Sequence, residues 1–455
     1  MYNIISGEEK VIKLVQEYAS LSNEELAGLN SEEIAKRAEA RQLRLMPSYH
    51  QSMYNYCVEN GKKYLVYNTL YNSLVSIDKK EYEAYSGETG CSEETERHFV
   101  GTGLWIPAEI DERRAYLHYA ADMHKNNRGD VVIILTTTLQ CNARCAYCYE
   151  AGVKQHSFDV SHIDDLIRFI VGLEREKHVH ITWFGGEPLM NLPFIDEVVR
   201  KLGEAGIPFY TTMITNGSLI TENIVKEKFF SWKLKHVQIT LDGTAEEYAK
   251  IKNYVTPDIG KFGDIVRNIG FIAKSGVPVD VRVNIDKNNI ADVMTLFLFL
   301  ENSFAESKMV SYYPAYINGS AHDVEKEERE EILYRLMKSL TCPAKLIKVQ
   351  KFYMEPLSAA CHHADPKAYA IDVDGNVYTC EHDVGCAEKR IGDVMSGLYE
   401  KDKRLEPPKL SEECKKCVFL PKCFGGCESD RLQKNNPCMI IKYLIPAYMR
   451  LMLEL

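Results

Sequence analysis

The 455-residue sequence lacks several features that would define its class at once. It has no run of about 18 uncharged apolar residues, so no segment is expected to span a membrane. The N-terminal stretch MYNIISGEEKVIKL lacks the positive flank and apolar core of a secretory signal, so a cytoplasmic location is expected. There is no basic run, and the net charge is -10, which argues against nucleic acid or an anionic membrane as the principal partner.

Cysteine, by contrast, is abundant. Fourteen cysteines in a chain without a secretion signal are poorly explained by disulfides, because the cytosol keeps thiols reduced. Metal binding is the better explanation. Three of these thiols fall within the eight residues from Cys141 to Cys148, and by composition alone they could hold a metal, form a disulfide or be buried.

The chain is expected to have three parts: residues 1–127, 128–340 and 341–455. In the first part, residues 1 to about 45 favour helix, and Lys63 to Ile77 predict two short strands followed by a helix. This part is either a small capping subdomain or a peptide-binding module, and its sequence leaves both open.

The middle part alternates strands and helices. Six strand–helix repeats predict parallel strands with right-handed crossovers, hence a barrel or an open doubly wound sheet. The fourth and fifth strands each carry one polar face, with Gln238 and Arg282 as examples, which favours an open barrel lumen over an edge strand with a wet face. The six strands are predicted at Val131–Thr137, Val179–Phe184, Phe209–Ile214, His236–Leu241, Val279–Ile285 and Met309–Tyr316.

The first cysteine group has the spacing C-x3-C-x2-C and follows the first predicted strand. Three thiolates can bind three corners of a cubane iron-sulfur cluster, for which four would be the full set, and so leave one iron open. An open iron can chelate the amine and carboxylate of S-adenosylmethionine, and an electron from the cluster can cleave its sulfonium to a 5'-deoxyadenosyl radical. A zinc site would need a fourth protein ligand that the local sequence does not offer.

At this point a family resemblance emerges over about residues 128–320. The pattern C-x3-C-x-Tyr-C, with Cys141, Cys145, Tyr147 and Cys148, resembles the radical S-adenosylmethionine superfamily. The resemblance implies a partial (β/α)6 TIM-like barrel of the α/β class that binds S-adenosylmethionine. The stretch Gly185, Gly186, Glu187 and Pro188 matches a Gly-Gly-Glu-Pro motif of the superfamily, in which backbone groups contact the amine of the ligand.

Further S-adenosylmethionine contacts are expected at the strand ends. Asn216, Thr240, Arg282 and Asn284 are the candidates for holding the carboxylate and ribose, and Arg282 has the best charge for a carboxylate. Relatives often place an Arg a few residues beyond the Asp-Gly pair. Here that region reads AEEYAKIKNY and offers only Lys250 and Lys252.

A second cysteine group near the C-terminus has Cys361, Gly375 and Cys380, then Cys414-x2-Cys417-x5-Cys423-x3-Cys427, and then Cys438. This spacing resembles the SPASM domain, which carries two auxiliary iron-sulfur clusters. The resemblance therefore implies three [4Fe-4S] clusters in all. One auxiliary cluster lacks a fourth ligand, and Cys342 would supply it. Cys386 is a weaker substitute. Alternatively, the fourth iron is open and binds a substrate thiolate. A zinc ribbon is the competing interpretation of the same spacing. The implied ligands are Cys361, Cys380 and Cys427 for one auxiliary cluster, and Cys414, Cys417, Cys423 and Cys438 for the other.

The resemblance also implies a function. Radical SPASM proteins mostly modify peptides, so we expect an oxidoreductase-type maturase that forms a thioether or carbon-carbon crosslink in a ribosomally made precursor peptide, with flavodoxin or ferredoxin as electron donor. Glu381 stands where sulfatase-maturing relatives carry an Asp general base, which makes it the catalytic candidate. Residues 63–85 loosely resemble leader-peptide recognition modules, in which a peptide adds a strand to a sheet edge. The alternatives are an anaerobic sulfatase-maturing enzyme that makes formylglycine and a non-catalytic multi-cluster electron carrier.

Overall fold

The computed structural model divides the chain into two compact units. The terminal unit comprises Met1–Asn127, Val349–Ala364 and Arg404–Leu455, and the barrel unit comprises Arg128–Lys348 and Asp365–Lys403. Residues 341–455, expected from sequence to be one domain, are thus shared between the two units. The structure describes residues 9–22, 25, 29, 31–40, 48–125, 129–173, 178–317, 322–343, 357, 361–399, 408–432 and 437–454.

The N-terminal part of the terminal unit contains a small antiparallel sheet. The predicted strands within Lys63 to Ile77 and the helix after them are confirmed, while the preceding strand β2 was not predicted. Strand β3 lies between β2 and β4, and β1 pairs with β5. The elements are α1 (Glu9–Ser20), α2 (Ser31–Ala40), β1 (Tyr49–Gln51), β2 (Asn55–Glu59), β3 (Lys63–Asn68), β4 (Ser73–Asp78), α3 (Lys79–Tyr85), α4 (Glu93–Gly101), β5 (Trp105–Pro107) and α5 (Glu112–Lys125).

Local chemistry explains the β3–β4 hairpin. The side chain of the fully buried Asn68 accepts hydrogen bonds from the backbone N–H groups of Leu70 and Tyr71, which closes the turn. At the far end of β4, Asp78 and Glu81 form a reciprocal capping box that starts α3.

The barrel unit is built on six parallel strands in sequential order. A doubly wound sheet would reverse its strand order at a switch point, whereas the order here runs from β6 to β11 without reversal, so the barrel alternative is the correct one. All six predicted strands are confirmed, with ends shifted by at most two residues. The strands are β6 (Val131–Thr138), β7 (Val179–Gly185), β8 (Phe209–Thr215), β9 (Leu234–Leu241), β10 (Val279–Ile285) and β11 (Val310–Tyr316).

The barrel is open, because the free side of β6 is occupied by a different strand. Strand β12 runs parallel to β6, and β13, β14 and β15 extend the same sheet antiparallel to one another. These four strands are β12 (Ala368–Ile371), β13 (Asn376–Tyr378), β14 (Gly392–Asp393) and β15 (Gly397–Leu398). The crossover helices are α6 (Ile163–Gly172), α7 (Leu192–Glu204), α8 (Glu222–Lys228), α9 (Ala245–Lys252), α10 (Phe262–Lys274) and α11 (Ile290–Ser303), and α12 (Lys326–Ser339) follows β11.

The polar face predicted for the fourth and fifth strands is present and is largely self-paired. The hydroxyl of Tyr313 donates to Gln238 Oε1 at 2.6 Å, and His236 pairs with Asp280 at 3.0 Å. These side chains line the inner face, whereas Val237, Ile239 and Val281 are fully buried on the other face of the same strands.

The C-terminal part of the terminal unit is helical and rich in cysteine. Helix α16 lies against β2 and β3, where the Asn60 side chain donates to the Leu453 carbonyl at 3.0 Å. None of the helices in the described ranges is long and apolar enough to cross a bilayer. The helices are α13 (Glu412–Lys415), α14 (Leu420–Cys423), α15 (Glu428–Leu432) and α16 (Ile441–Glu454), and short 3-10 turns occur at Val160–His162, Pro188–Asn191, His362–Ala364, Glu381–Asp383 and Ala387–Lys389.

Candidate active site

A cavity of about 410 Å³ opens at the carboxyl ends of strands β6 to β9. Its volume lies in the range of about 300–1,000 Å³ that small-molecule sites occupy. The cavity therefore lies at the end of the strands where barrels of this kind build their sites. It is lined by Leu139, Cys141, Ala143, Arg144, Cys145, Tyr147, Cys148, Tyr149, Glu150, Ala151, Gly152, Gln155, Phe184, Gly185, Gly186, Ile214, Thr215, Asn216, Thr240 and Lys252.

The three cysteines of the loop after β6 all line this cavity and lie close together. Burial is the main cause that raises the pKa of each thiol, to about 11 for Cys141. Neighbouring cysteines add to the rise at Cys141 and Cys148, whereas Lys252 opposes it at Cys145. A metal would have to displace these protons, so cluster binding at this loop should release protons. The donor set fits an iron-sulfur cluster, since thiolates are its preferred ligands.

The described residues contain no group of three or more His, Cys, Asp or Glu side chains arranged around a single metal ion. In a cubane cluster each thiolate binds a different iron, so the sulfurs lie farther apart than around one ion.

Two glycines fix the cysteine loop against the end of β7. A Cβ added to Gly185, whose φ is +126°, would lie 2.2 Å from the Thr138 carbonyl oxygen, and one added to Gly186 would lie 2.4 Å from that of Gln140. The Gly186 N–H donates to Thr138 O at 2.9 Å. The glycines therefore allow two backbone segments to meet where the cysteine loop begins, a role that comes in addition to the predicted contact with a ligand.

The rest of the Gly-Gly-Glu-Pro stretch lies behind the cavity. Glu187 is fully buried and accepts hydrogen bonds from Thr215 Oγ1 at 2.7 Å and from the Asn216 N–H at 2.8 Å. Burial raises its pKa, and these donors oppose the rise. Neither Glu187 nor Pro188 lines the cavity, so the carboxylate acts by joining the ends of β7 and β8.

A buried lysine at the end of α9 faces the cysteines. Lys252 is 3 % exposed, and its Nζ lies 2.9 Å from Asp242 Oδ2 and 3.1 Å from the Tyr147 hydroxyl. Burial disfavours its charge, but Asp242, Tyr147 and Cys145 outweigh burial and raise the pKa of Lys252 well above its usual value. Lys252 is therefore a charged group at the cavity wall.

Sequence reasoning noticed Lys252 but did not select it. The deciding signal is its position at the last turn of α9, where Asn253 adopts a left-handed conformation and the Lys252 carbonyl accepts from the Arg144 N–H at 2.8 Å. That contact ties the helix end to the cysteine loop. Lys250, by contrast, is exposed and pairs with Glu246 and Glu247 on the surface.

The structure separates the four predicted S-adenosylmethionine contacts into two pairs. Asn216 and Thr240 line the cavity, and the Asn216 amide donates to Asn142 Oδ1 at 2.8 Å. Arg282 and Asn284 do not line it. Arg282 donates to Asn284 Oδ1, and Asn284 donates to Asp242 Oδ1, both at 2.9 Å, so this pair supports the carboxylate that holds Lys252.

The candidate base Glu381 lies near the cavity without lining it. The next residue, His382, packs its ring on Tyr149 with centroids 4.2 Å apart, and Glu381 is close enough to interact electrostatically with Tyr149. Glu150 does line the cavity, and burial raises its pKa to about 7. Glu150 is thus a second carboxylate that sequence reasoning missed, because no motif marks it.

The other cysteines predicted to bind clusters are divided between the units. Cys414, Cys417, Cys423 and Cys438 all belong to the terminal unit and interact with one another electrostatically. Of the remaining set, Cys361 and Cys427 belong to the terminal unit, and Cys342, Cys380 and Cys386 belong to the barrel unit.

Within the barrel unit, Cys342 and Cys380 have different surroundings. The Cys342 N–H donates to Glu301 of α11 at 2.7 Å, and the thiol lies near Tyr312, whose ring packs on Phe297 of the same helix. Cys342 therefore belongs to the outer, helix-covered side of the sheet. Cys380 lies near Tyr149 of the cysteine loop.

Cys386 is near Cys380 instead. The turn from Cys380 to Cys386 is continuous, since the Asp383 N–H donates to Cys380 O and the Cys386 N–H donates to Asp383 O, each at 3.0 Å. Both thiols are close enough to the Lys389 ammonium to interact with it. These contacts favour Cys386 over Cys342 as the partner of Cys380.

Comparison with known proteins agrees with this geometry. The Radical SAM superfamily model matches residues 135–300. A cysteine-type anaerobic sulfatase-maturating enzyme of Clostridium perfringens is 23 % identical over 356 residues, which cover 70 % of this chain and 94 % of that protein.

Among solved structures, native anSMEcpe with bound AdoMet and Cp18Cys peptide has a TM-score of 0.55 at 20 % identity. The match covers 70 % of this chain and 94 % of that one, and it shows a shared fold. SuiB of Streptococcus suis bound to its precursor peptide SuiA covers 86 % of this chain, but its TM-score of 0.49 at 13 % identity carries no conclusion. The superfamily match and the cysteine-lined cavity together identify residues 135–300 as a Radical SAM domain, in a chain that is similar to a cysteine-type anaerobic sulfatase-maturating enzyme.

Proposed function

We propose that this radical SAM enzyme is a cytoplasmic maturase with a SPASM domain, which modifies a ribosomally made precursor peptide by forming a thioether or carbon-carbon crosslink. The observation that carries the proposal is the set of three thiols, two close-packed glycines and one buried lysine around a single cavity. A non-catalytic electron carrier has no use for such a cavity.

The residues at the cavity wall would hold the cofactors in defined ways. Cys141, Cys145 and Cys148 would bind three irons of a [4Fe-4S] cluster and leave the fourth iron for S-adenosylmethionine. When bound and reduced by a donor such as flavodoxin or ferredoxin, this pair supplies a 5'-deoxyadenosyl radical that removes hydrogen from a substrate carbon.

Lys252 is the best candidate for binding the carboxylate of S-adenosylmethionine. It is one of two cations in the cavity lining, and the other, Arg144, donates to the carbonyl oxygens of Cys141 and Ala143. Arg282 does not line the cavity and donates to Asn284. A charge-assisted hydrogen bond in this water-poor position is stronger than one at the surface. Asp242 and Tyr147 would orient the ammonium towards the ligand.

Two carboxylates are candidates for accepting the substrate proton. Glu381 has the position suggested by the resemblance, beside Cys380 and near Tyr149. Glu150 has the better position for a bound substrate, since it lines the cavity. A base whose pKa is near 7 is well matched to proton transfer at neutral pH.

The terminal unit supports peptide recognition. Along the strands that the structure describes, the outer edges of β2 and β4 have no pairing strand. An extended peptide can add to such an edge through backbone hydrogen bonds. Backbone hydrogen bonds depend little on the side chains of the edge strand, which explains why the resemblance of residues 63–85 to leader-peptide recognition modules is only loose.

The proposal is tested with the precursor peptide predicted from a neighbouring reading frame. The reconstituted, reduced enzyme and S-adenosylmethionine should convert that peptide to a product that has lost a pair of hydrogens, as measured by mass spectrometry with fragmentation. An unchanged peptide in the presence of active S-adenosylmethionine cleavage would contradict the crosslinking proposal.

The recognition step is tested separately by hydrogen exchange on the full chain. Addition of the peptide should protect backbone amides of β2 or of β4, but not of the central strand β3, whose groups are already paired on both sides. Protection that appears on neither edge would contradict strand addition.

The second candidate is a sulfatase-type maturase, which the relative from Clostridium perfringens favours because it aligns over nearly its whole length. This alternative predicts conversion of a Cys or Ser in a sulfatase-derived peptide to formylglycine. Offering both peptides to the same enzyme preparation decides between the two.

A further inference from the structure

The four-cysteine group of the terminal unit, Cys414, Cys417, Cys423 and Cys438, has a lysine against one of its sulfurs. Lys442 lies in the first turn of α16, and its Nζ is 3.5 Å from Cys438 Sγ. It is also close enough to Cys417 to interact with it electrostatically. Because an ammonium group carries donors and no acceptor, the contact is an N–H···S hydrogen bond from a charged donor.

Lys442 is half-buried, and its charge is not neutralised by an acid. Among the residues that the structure describes, the groups that interact with its ammonium are Cys438, Cys417 and Tyr443, and no carboxylate is one of them. Lys415, in the same cysteine-rich region, pairs with Glu412 at 2.7 Å. The charge of Lys442 is therefore directed at the sulfurs.

Two other sulfurs of the group accept hydrogen bonds from neutral backbone groups. Cys417 accepts from the backbone N–H of Phe419, and Cys423 accepts from that of Gly425. Neutral N–H donors are weaker than charged ones, so the hydrogen bond from Lys442 is stronger than either of these two.

We propose that Lys442 is a positioning residue that raises the reduction potential of the iron-sulfur cluster held by these four cysteines, an inference that rests on the proposed function. A cluster bound by four thiolates gains further negative charge when it is reduced. A cation hydrogen-bonded to one sulfur stabilises the reduced form more than the oxidised form, and the potentials of such clusters are set by hydrogen bonds to sulfur and by local charge. Lys442 thus makes this cluster a better electron acceptor than it would be without the ammonium group.

The test is a redox titration followed by electron paramagnetic resonance on the full reconstituted chain. Cys141, Cys145 and Cys148 are replaced by Ala in all samples so that the barrel cluster does not overlap, and the signal removed by Cys417→Ala is assigned to the four-cysteine cluster. Lys442→Gln should favour the oxidised form by about tenfold, a fall of ~59 mV for a one-electron couple. Lys442→Arg keeps the charge and should restore most of the potential.

Lys416→Gln is the matched control. Lys416 lies between two cysteines of the same group in sequence, but it is exposed, so solvent and salt screen its charge. Its replacement should leave the potential unchanged. Equal potentials for the wild type and Lys442→Gln, with full iron content in both, would overturn the inference.

A second measurement does not depend on the Gln variant holding its cluster. With lysine labelled by nitrogen-15 at Nζ, the reduced cluster should show a nitrogen-15 coupling that Lys442→Arg removes. No coupling in the labelled protein would overturn the inference. If Cys417→Ala leaves both the iron content and the spectrum unchanged, the cluster assignment within the proposed function has failed, which is a distinct result.

Discussion

The cysteine loop of the barrel unit and the four-cysteine group of the terminal unit each have a lysine beside them, but the two lysines have different partners. Lys252 is paired with the buried carboxylate of Asp242 at 2.9 Å, whereas Lys442 contacts Cys438 and has no carboxylate partner among the described residues. A compensated charge in a cavity is fixed in position and suited to binding a ligand. An uncompensated charge at a sulfur acts on the electrons of a cluster instead.

The largest effect expected from this contrast is on S-adenosylmethionine cleavage. Cys145→Ala should abolish release of 5'-deoxyadenosine, because the loop then offers too few thiolates for its cluster. Cys417→Ala removes a ligand from the other group and should spare uncoupled cleavage while product is lost. The release of 5'-deoxyadenosine and the formation of product are both measured by chromatography of anaerobic reactions. If the Cys145→Ala variant cleaved S-adenosylmethionine at the wild-type rate, the proposed difference in role between the two cysteine groups would be wrong.

The next effect concerns the compensated lysine. Lys252→Met should weaken S-adenosylmethionine binding by about tenfold to a hundredfold, since hydrogen bonds to charged groups contribute about 1.5–3 kcal/mol. Lys252→Arg should recover part of the affinity. Affinities are measured by calorimetry under anaerobic conditions.

Lys250→Met is the control for that measurement. Lys250 belongs to the same helix but is exposed and paired with surface acids, so its loss should leave the affinity near that of the wild type. An equal loss in both variants would mean that Lys252 has no special contact with the ligand.

A smaller effect tests how the cysteine loop is held. Gly186→Ala places a Cβ 2.4 Å from the Gln140 carbonyl oxygen, so thermal unfolding should show a loss of roughly 1–3 kcal/mol. Gly203→Ala, in helix α7 with open space around it, should instead stabilise by about 0.5–1 kcal/mol. Equal melting temperatures for the two variants would contradict the close approach.

The smallest effect concerns the cysteines of the remaining set. Cys386→Ala should make part of the bound iron labile during gel filtration, while Cys342→Ala should retain it, because Cys386 shares the surroundings of Cys380 and Cys342 lies beside Glu301. Iron content per chain is the measurement. The reverse pattern would restore Cys342 to the ligand set.

Much of the barrel unit was predictable because local patterns specify it. The repeated alternation of strand and helix patterns marked all six strands, and the cysteine spacing with Gly185 and Gly186 marked the strand ends that meet at the cavity. The helix at Ser161 shows where local reasoning fails. Ser161 and Asp164 have the spacing of a capping box, which predicts a helix that starts at Ser161, but Asp159 caps a 3-10 turn there and α6 begins only at Ile163.

Other features depend on side-chain and helix-end contacts that no motif in the sequence marks. Lys252 reaches the cysteines because its carbonyl, at the end of α9, accepts a hydrogen bond from the Arg144 N–H. Arg282 donates to Asn284 and does not line the cavity. Lys442, in the first turn of α16, meets Cys438, which lies just before the helix, at a spacing of four residues that no motif singled out. These residues decide the electrostatics of both cysteine groups.

The most direct test of the central claim is release of 5'-deoxyadenosine by the wild-type chain, reconstituted with iron and sulfide, reduced without oxygen and given S-adenosylmethionine. We expect iron rather than zinc in the preparation and formation of 5'-deoxyadenosine that depends on both reductant and S-adenosylmethionine. Zinc at the cysteine loop, or a fully iron-loaded chain that leaves S-adenosylmethionine intact, would contradict the account.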